Sequence, residues 1–257
     1  MNLSLPKYYN NKIVKAIAEF DMINDNDKIA VAISGGKDSL FLLYALRVLK
    51  KYLDIDYYLS AFTIDLGFKD SDYTYLINFC DDLNIKYDII ETRIADYILD
   101  NKENNPCAKC SYFRKGAMVD YLKSEGIGTV AYGHHYDDAV VTFLMSIIYS
   151  AQIKTFMPKQ YLSRNEIYII RPLIYLREKK IKEIVKKIDL KTVLNPCPYD
   201  GKTKRAEIEK KLVGVARDKQ IFYNIAKAMR EGSVIEQWPG EADYFDLEKK
   251  IKELWGK

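Results

Sequence analysis

The sequence predicts an α/β fold: a Rossmann-like parallel sheet with helices on both faces, followed by a small helical C-terminal extension. Three observations predict it. Apolar runs rich in β-branched residues alternate with segments of helical periodicity, the pattern of repeated βαβ units. The residues that could carry chemistry fall at the ends of the expected strands, where such sheets bind ligands. Apolar residues make up 48% of the 257, enough for a sizeable buried core.

In chain order, residues 8–22 read as a short amphipathic helix ahead of the main fold. Strands are expected at 28–34, 56–65, 86–92 and 128–133, with helices near 37–51, 71–84, 111–125 and 136–149. Residues 161–174 suggest a turn and then a further strand, and a charged helix follows at 177–188. A loop at 195–203 carries Cys197, and two more helices are expected near 203–216 and 218–231. The tail after Trp238-Pro239-Gly240 reads as a surface helix or as partly ordered. The chain thus divides into an N-terminal helical segment (1–24), a main α/β domain (25–194) and a C-terminal cysteine loop with helical extension (195–257).

The net charge is only +4, so a nucleic-acid surface would have to be a local patch. No apolar run approaches the roughly 18 residues of a membrane span. The N-terminus lacks the basic-then-apolar layout of a signal peptide. Both point to a cytoplasmic protein without membrane contact. Four cysteines in that setting suggest metal or redox chemistry rather than a disulfide framework.

The most telling stretch is Ser34-Gly35-Gly36-Lys37-Asp38-Ser39, between the apolar run 28–33 and the helical run 40–46. A strand-to-helix turn aims backbone N–H groups and the positive end of a helix dipole at one point. Two adjacent glycines let the backbone curl around an anion. Lys37 adds a mobile positive charge, and the Ser34 and Ser39 hydroxyls add donors. The object is a phosphate cradle. Its spacing is neither that of a Walker A loop nor that of the dinucleotide fingerprint. Ser-Gly-Gly-x-Asp-Ser resembles the signature of the ATP pyrophosphatases, the PP-loop enzymes, which cleave ATP between the α and β phosphates. Five fixed residues arise by chance in a chain of this length about once in 10,000, which sets coincidence aside.

Cys107 and Cys110 lie three positions apart just before an expected helix, behind a polar loop. Cys197 sits between Pro196 and Pro198, which fix its backbone. Cys80 falls in an apolar helical stretch and reads as a packed thiol. Three thiolates could hold a [4Fe–4S] cluster with one iron left open, or zinc with a fourth ligand, or a Cys-x-x-Cys pair could carry persulfide. The only two histidines are adjacent, in Gly133-His134-His135-Tyr136-Asp137-Asp138, at a strand end and helix start. Asp137 and Asp138 suit helix capping. Asp138 is also the favoured carboxylate to hold Mg²⁺ against ATP phosphates, with Asp38 and Asp65 as the other candidates.

To these motifs are added Arg171-Pro172-Leu173, Arg177-Glu178-Lys179 and Pro196-Cys197-Pro198. Their order resembles the tRNA 2-thiocytidine synthetase family of PP-loop enzymes, iron–sulfur-dependent tRNA sulfurtransferases, from about residue 25 to residue 215. The resemblance implies ATP-dependent exchange of a base carbonyl oxygen, in cytidine, for sulfur, with a [4Fe–4S] cluster on Cys107, Cys110 and Cys197. It implies that Arg114 and Lys115 face ATP and substrate. Ala32 and Ile64 would contact the nucleotide through backbone groups, beside Ser34, Gly35, Gly36, Lys37, Asp38 and Ser39. Gly133 would permit close approach to the nucleotide, and Asp138 would be the acidic residue near the reacting centre. Lys37, Asp38, Arg114 and Asp138 are then the catalytic candidates. The implied partners are ATP, Mg²⁺, tRNA and a sulfur donor, either sulfide or the persulfide of a cysteine desulfurase. A homodimer is left open.

The chain departs from the family pattern at Val141, where a Glu is usual ahead of Thr142. The paired-cysteine zinc fingers of related tRNA 2-thiouridine enzymes are absent, which points away from that branch. Two basic runs, 177–182 and 202–205, are the candidate RNA contacts, the first diluted by its own glutamates. Two other readings compete. A lysidine-type ligase would need no thiolates, and a non-catalytic nucleotide sensor would use its metal structurally.

Overall fold

Ile29 and Val31 point to one side of a strand and Ala30 to the other, and all three are fully buried. This strand, β1 (Asp27–Ala32), therefore sits between two apolar layers. The computed structural model describes residues 3–69, 71–100, 106–193, 196–199, 204–217 and 219–230, with positions 243, 245 and 249. Beside β1 lie β2 (Tyr57–Asp65), β3 (Lys86–Glu91), β4 (Thr129–Ala131), β5 (Lys159–Leu162) and β6 (Ile167–Ile170). Their order in the sheet is β3-β2-β1-β4-β6-β5. The pairs β1–β2, β2–β3, β1–β4 and β4–β6 are parallel. The chain winds outward from β1 through β2 to β3, then crosses back to β4. Beyond the carboxyl ends of β1 and β4 the sheet has its switch point, and a crevice opens there.

The helices are α1 (Lys7–Glu19), α2 (Lys37–Leu49), α3 (Thr74–Asp82), α4 (Ile94–Asp100), α5 (Pro106–Ser124), α6 (Tyr136–Ser150), α7 (Glu178–Lys187), α8 (Lys204–Arg217) and α9 (Lys219–Ala228). On one face, α1, α2, α3 and α7 share a core with Ile29, Val31, Leu59 and Ala61. On the other, Met118, Val119 and Leu122 of α5 pack against Ala30, Phe62 and Val130. Helix α2 is apolar nearly all round and buries every residue from Ser39 to Leu49 except Arg47, as a helix sunk in a core does. Ile13 and Ala16 of α1 are fully buried in the same core, and the Tyr9 hydroxyl donates to Lys180 O on α7 at 3.0 Å.

The expected parallel α/β sheet is present, with three differences. Residues 94–100 form α4, where no element was expected, because Ile94, Ala95 and Ile98 recur at helical spacing and are buried. The turn and strand expected over 161–174 are a hairpin, so the edge strand β5 runs antiparallel to β6. Cys107 and Cys110 do not precede a helix. Pro106 opens α5 in the position that tolerates its missing N–H, and both thiols ride the first turns. The expected tail after residue 238 lies outside the described residues except at positions 243, 245 and 249.

The turn after β4 packs straight onto α2. A Cβ on Gly133 would lie 2.8 Å from both the carbonyl carbon of Asp38 and the amide nitrogen of Ser39. Both are backbone atoms at the head of a buried helix, so neither can swing aside. Gly133→Ala is expected to cost about 1–3 kcal/mol in urea unfolding through overpacking. A variant as stable as the wild type would show that the turn can relax away from α2.

Candidate active site at the sheet switch point

The loop after β1 turns on Gly35, whose φ of +78° lies in the left-handed region. A side chain there would also meet Val193, since a Cβ would sit 2.9 Å from the Val193 Cβ. Val193 in turn donates its N–H to Gly35 O at 3.0 Å, strapping the loop down. The two serines brace the loop from inside. Ser34 N donates to Ser39 Oγ at 3.2 Å, and Ser39 Oγ donates to Gly36 O at 3.0 Å. The N–H groups of Lys37, Asp38 and Ser39 open α2 and have no acceptor within the helix. They form the anion-seeking end of a helix that cannot shift.

Lys37 does not point into the open. Its Nζ lies 3.0 Å from Asp38 Oδ2 and 3.0 Å from Glu178 Oε1. Burial pulls its pKa down, but the Asp38 and Glu178 carboxylates outweigh burial and hold it above the ordinary lysine value. For Glu178, burial pushes up, yet hydrogen bonds from Lys182 and Lys37 bring its carboxyl down to about 2. Its folded pKa is depressed, so its contribution to stability is present above the ordinary 4.5 and lost as pH falls towards 2. Glu178 opens α7, and in the sequence it stands only as part of Arg177-Glu178-Lys179. Nothing in its spacing signals that it neutralises Lys37 from 141 residues away in the chain.

Asp137 and Asp138 act as helix anchors. Asp138 Oδ2 accepts the His135 N–H at 2.8 Å, closing the first turn of α6, and its Oδ1 accepts from Arg205 of α8. Asp137 Oδ2 accepts the Glu178 N–H at 2.8 Å and pairs with Arg177, whose guanidinium lies 3.3 Å from the Phe222 ring centroid. Both oxygens of Asp138 are engaged, so a Mg²⁺ held there would compete with Arg205. Asp65 Oδ1 is engaged by Gly67 N at 2.9 Å. Asp38 has a buried Oδ1 with no hydrogen-bond partner, 3.8 Å from His135 Nε2.

His134 is held between Tyr132 and Phe156, with ring centroids 5.6 and 5.1 Å away. Burial drives its pKa down to about 4, against the pull of Asp138, and the charges of Arg171 and Arg205 add to the fall. It is therefore neutral at neutral pH. Arg171 is buried behind it, stacked 4.7 Å from the Phe156 centroid and donating to Met157 O.

These groups open into one cleft of about 750 Å³. Of the residues expected from the sequence to touch nucleotide, metal or the reacting base, Gly36, Lys37 and Asp65 do not line it and the others do. Cys107, Cys110 and Arg114 enter from α5, Cys197 from the segment 196–199, and Ala32, Ile64 and Gly133 from the strand ends. Burial raises the Cys110 thiol, Arg114 opposes that, and the neighbouring Cys197 and Cys107 raise it further, so the three sulfurs sense one another. Cys80 is fully buried in the core, and its thiol is pushed up to about 12 by burial. It is a packing residue, as expected.

Among the described residues, no three His, Cys, Asp or Glu side chains gather closely enough to hold a single ion. Zinc would need its ligands within one tetrahedral shell. A cluster of four irons spans more space and takes thiolates from separate segments. The donor set present, three cysteines from two remote stretches, fits a cluster.

In the two basic runs proposed as RNA contacts, several of the cations are paired with carboxylates or rings. Lys180 pairs with Glu183 and Lys182 with Glu178. Lys204 sits over the Tyr149 ring and Arg205 pairs with Asp138 and Glu209. Lys202 lies outside the described residues. Val141, in place of the family's Glu, is buried on α6 at 4% exposure, so the exchange removes a charge that would need a partner.

The chain matches the family model of the PP-loop domain over residues 7–216. A tRNA-cytidine(32) 2-sulfurtransferase from Francisella tularensis subsp. novicida is 30% identical over 246 residues, covering 93% of this chain and 96% of that protein. The enzyme of the same name from Geobacter metallireducens is 30% identical over 203 residues, 78% of each chain. Among solved structures, the U34-tRNA thiolase NcsA from Methanococcus maripaludis, with its [4Fe-4S] cluster, superposes with a TM-score of 0.71. Its identity to this chain is 24%, and the superposition covers 87% of this chain and 76% of that one, a likeness of fold. Because the family match spans the loop, the histidine turn and all three cleft cysteines, the chain belongs to the PP-loop family, in its tRNA-cytidine 2-sulfurtransferase branch.

Proposed function

We propose that this chain thiolates a cytidine in tRNA: it adenylates the base carbonyl oxygen with ATP and replaces that oxygen with sulfur. The observation that carries this reading is the convergence of Cys107, Cys110 and Cys197 on the cleft that Ser34, Gly35 and Ser39 also line. A phosphate cradle alone suits any adenylating enzyme. Thiols in the same cleft suit one that delivers sulfur.

The chemistry divides into two displacements. In the first, the base oxygen attacks the α phosphate, and the bond to the β phosphate breaks. The loop N–H groups at the head of α2 bind the departing pyrophosphate, and Lys37, held charged by Asp38 and Glu178, balances its growing charge. The backbones at Ala32 and Ile64 line the side of the cleft where the nucleotide would lie. In the second, a sulfur nucleophile forms the C–S bond while the C–O bond to AMP breaks. Arg114, next to Cys110, places a fixed cation beside the sulfur-bearing side. Asp138, held by Arg205 and the His135 N–H, lines the same cleft and supplies a carboxylate there.

A [4Fe–4S] cluster held by Cys107, Cys110 and Cys197 would supply an iron without a protein ligand, able to carry sulfide. Mg²⁺ would arrive on the nucleotide phosphates, and Asp38 is the carboxylate with an oxygen to offer it. The direct test of the function is mass spectrometry of tRNA nucleosides from a deletion strain and its complemented control. Loss and recovery of 2-thiocytidine supports the reading, and an unchanged nucleoside profile sinks it.

Two expected outcomes follow from the site. Gly36→Val should abolish ATP binding, because even a Cβ at Gly36 comes within 3.3 Å of Ser34 Oγ and a larger side chain would fill the cradle. Lys37→Ala should still bind ATP but slow its cleavage by about 10²–10³, the cost of losing one charge-stabilising donor. Product analysis checks both, since ADP and phosphate in place of AMP and pyrophosphate would refute the adenylation chemistry.

Replacing Cys107, Cys110 or Cys197 with Ser should strip the cluster and stop sulfur transfer while ATP still binds. Cys80→Ala should keep full iron loading and lose about 1 kcal/mol of packing. Mössbauer spectroscopy with iron and sulfide quantitation on anaerobically reconstituted protein decides this. Full loading in Cys197→Ser, loss in Cys80→Ala, or stoichiometric zinc without iron would each overturn the ligand set.

A further inference from the structure

Helix α5 has two faces. Cys107, Cys110, Ser111, Arg114 and Met118 follow one another at i, i+3, i+4, i+7 and i+11, and all line the cleft. Turned away from them is a second stripe at helical spacing: Lys109, Tyr112, Phe113 and Gly116. The first half of α5 carries no buried residue, since burial begins at Met118. Tyr112 is 73% exposed, an unusual setting for a large aromatic side chain in an ordered helix. Its ring meets Phe113 edge-on at 5.6 Å, and Phe113 meets Tyr97 edge-on at 4.9 Å. The three rings form a braced ledge.

Gly116 supplies an independent observation. A glycine inside a helix costs about 1 kcal/mol relative to alanine. Packing does not require it, because a Cβ there would find no atom within 4 Å. A bare backbone beside an exposed ring is what a ligand needs for close approach. Lys109 is the basic residue of this stripe, and the stripe carries no acidic residue before Asp120, one turn past Gly116. Among the described residues Lys109 is in no ion pair, unlike Arg177, Lys180, Lys182 and Arg205.

Resting on the proposed function, we infer that the outer stripe of α5 is a stacking platform for the RNA nucleotides that flank the target base. A nucleotide base stacks on Tyr112, the strand passes over Gly116, and Lys109 meets its phosphates. Single-stranded RNA is held in this way, by aromatic faces with cations between them. The target base in the cleft and its neighbours on the platform would lie on two sides of one helix, about 10 Å across with its side chains. The helix that presents the thiols would thereby also splay the strand.

The test is the affinity of the reconstituted protein for unfractionated tRNA, measured by fluorescence anisotropy over a salt series. Tyr112→Ala should weaken binding about 5- to 100-fold with the salt slope unchanged, because stacking releases no counterions. Tyr112→Phe should retain wild-type affinity. Lys109→Ala should reduce the slope by about 1. Gly116→Ala should raise Tm yet weaken binding, a combination that a purely structural glycine would not give. Wild-type affinity in Tyr112→Ala, or a Gly116→Ala variant that gains stability at no loss of affinity, would overturn the inference. So would a shift from dimer to monomer in Tyr112→Ala by light scattering, which would assign the stripe to a second copy of the chain. If the wild type forms thiocytidine but Tyr112→Ala binds tRNA as tightly, the platform falls and the proposed function stands. If Tyr112 governs tRNA binding but no thionucleoside forms, the platform stands and the proposed function falls.

Discussion

The contact between Gly133 and the backbone of Asp38 and Ser39 is the constraint on which the rest depends. It sets the first turn of α2 directly against the turn that leads from β4 into α6. Because α2 is buried along nearly its whole length, its N-terminus is fixed in position. Two consequences follow. The N–H groups that attract an anion keep one geometry whether or not the anion is present, so binding needs little reorganisation. The paired histidines and aspartates, only one to five residues past Gly133, are carried to the same place by the same contact. The sheet's switch point supplies the crevice, and this backbone apposition gives it a rigid floor.

Around that floor the charges are nearly all matched. Lys37 is shared by Asp38 and Glu178, Asp137 by Arg177 and the head of α7, and Asp138 by Arg205 and His135. Asp38 Oδ1 is buried without a hydrogen-bond partner. Such matching has a physical logic in a half-buried site. An unpaired charge would be costly or would shift its protonation, whereas paired charges remain ionised and exchange partners when a ligand arrives. It also ties distant chain segments to the site. Val193 straps the loop, Glu178 holds its lysine, and Arg205 joins α8 to the head of α6.

Much of this was legible in the sequence because it depended on local rules. The strand-to-helix loop, the glycine pair, the helix cap at Asp138 and the buried thiol of Cys80 each follow from neighbours within a few residues. The convergence of three cysteines with that loop was expected from the order of the motifs and the family it resembles, not from topology, since Cys107 and Cys110 open α5 after α4 and Cys197 follows α7. What could not be read were pairings set by tertiary contact. Glu178 on Lys37 and Arg205 on Asp138 join residues 141 and 67 positions apart, and their local sequence marks them only as surface charge. The basic run that includes Arg205 therefore looked like an RNA patch, although its guanidinium serves the site. Helix α4 was missed because its run of Ile94, Ala95 and Ile98 is short and adjoins a polar loop.

Helix α5 shows why that small helix matters. A helix whose first half buries nothing gains little from packing, and about a dozen residues are marginal alone in water. Two supports hold it. Met118, Val119 and Leu122 anchor its second half to the sheet, and the Tyr97–Phe113 edge contact ties its first half to α4. Pro106 adds a preset φ at the start. The resulting helix projects over the cleft and keeps both faces available, one for sulfur-bearing side chains and one for solvent or a partner. A loop could offer two thiols at the same spacing, but it would not fix their direction. On a helix, Cys107, Cys110 and Arg114 share one face by periodicity alone, so the guanidinium is registered against the thiols without any contact having to enforce it.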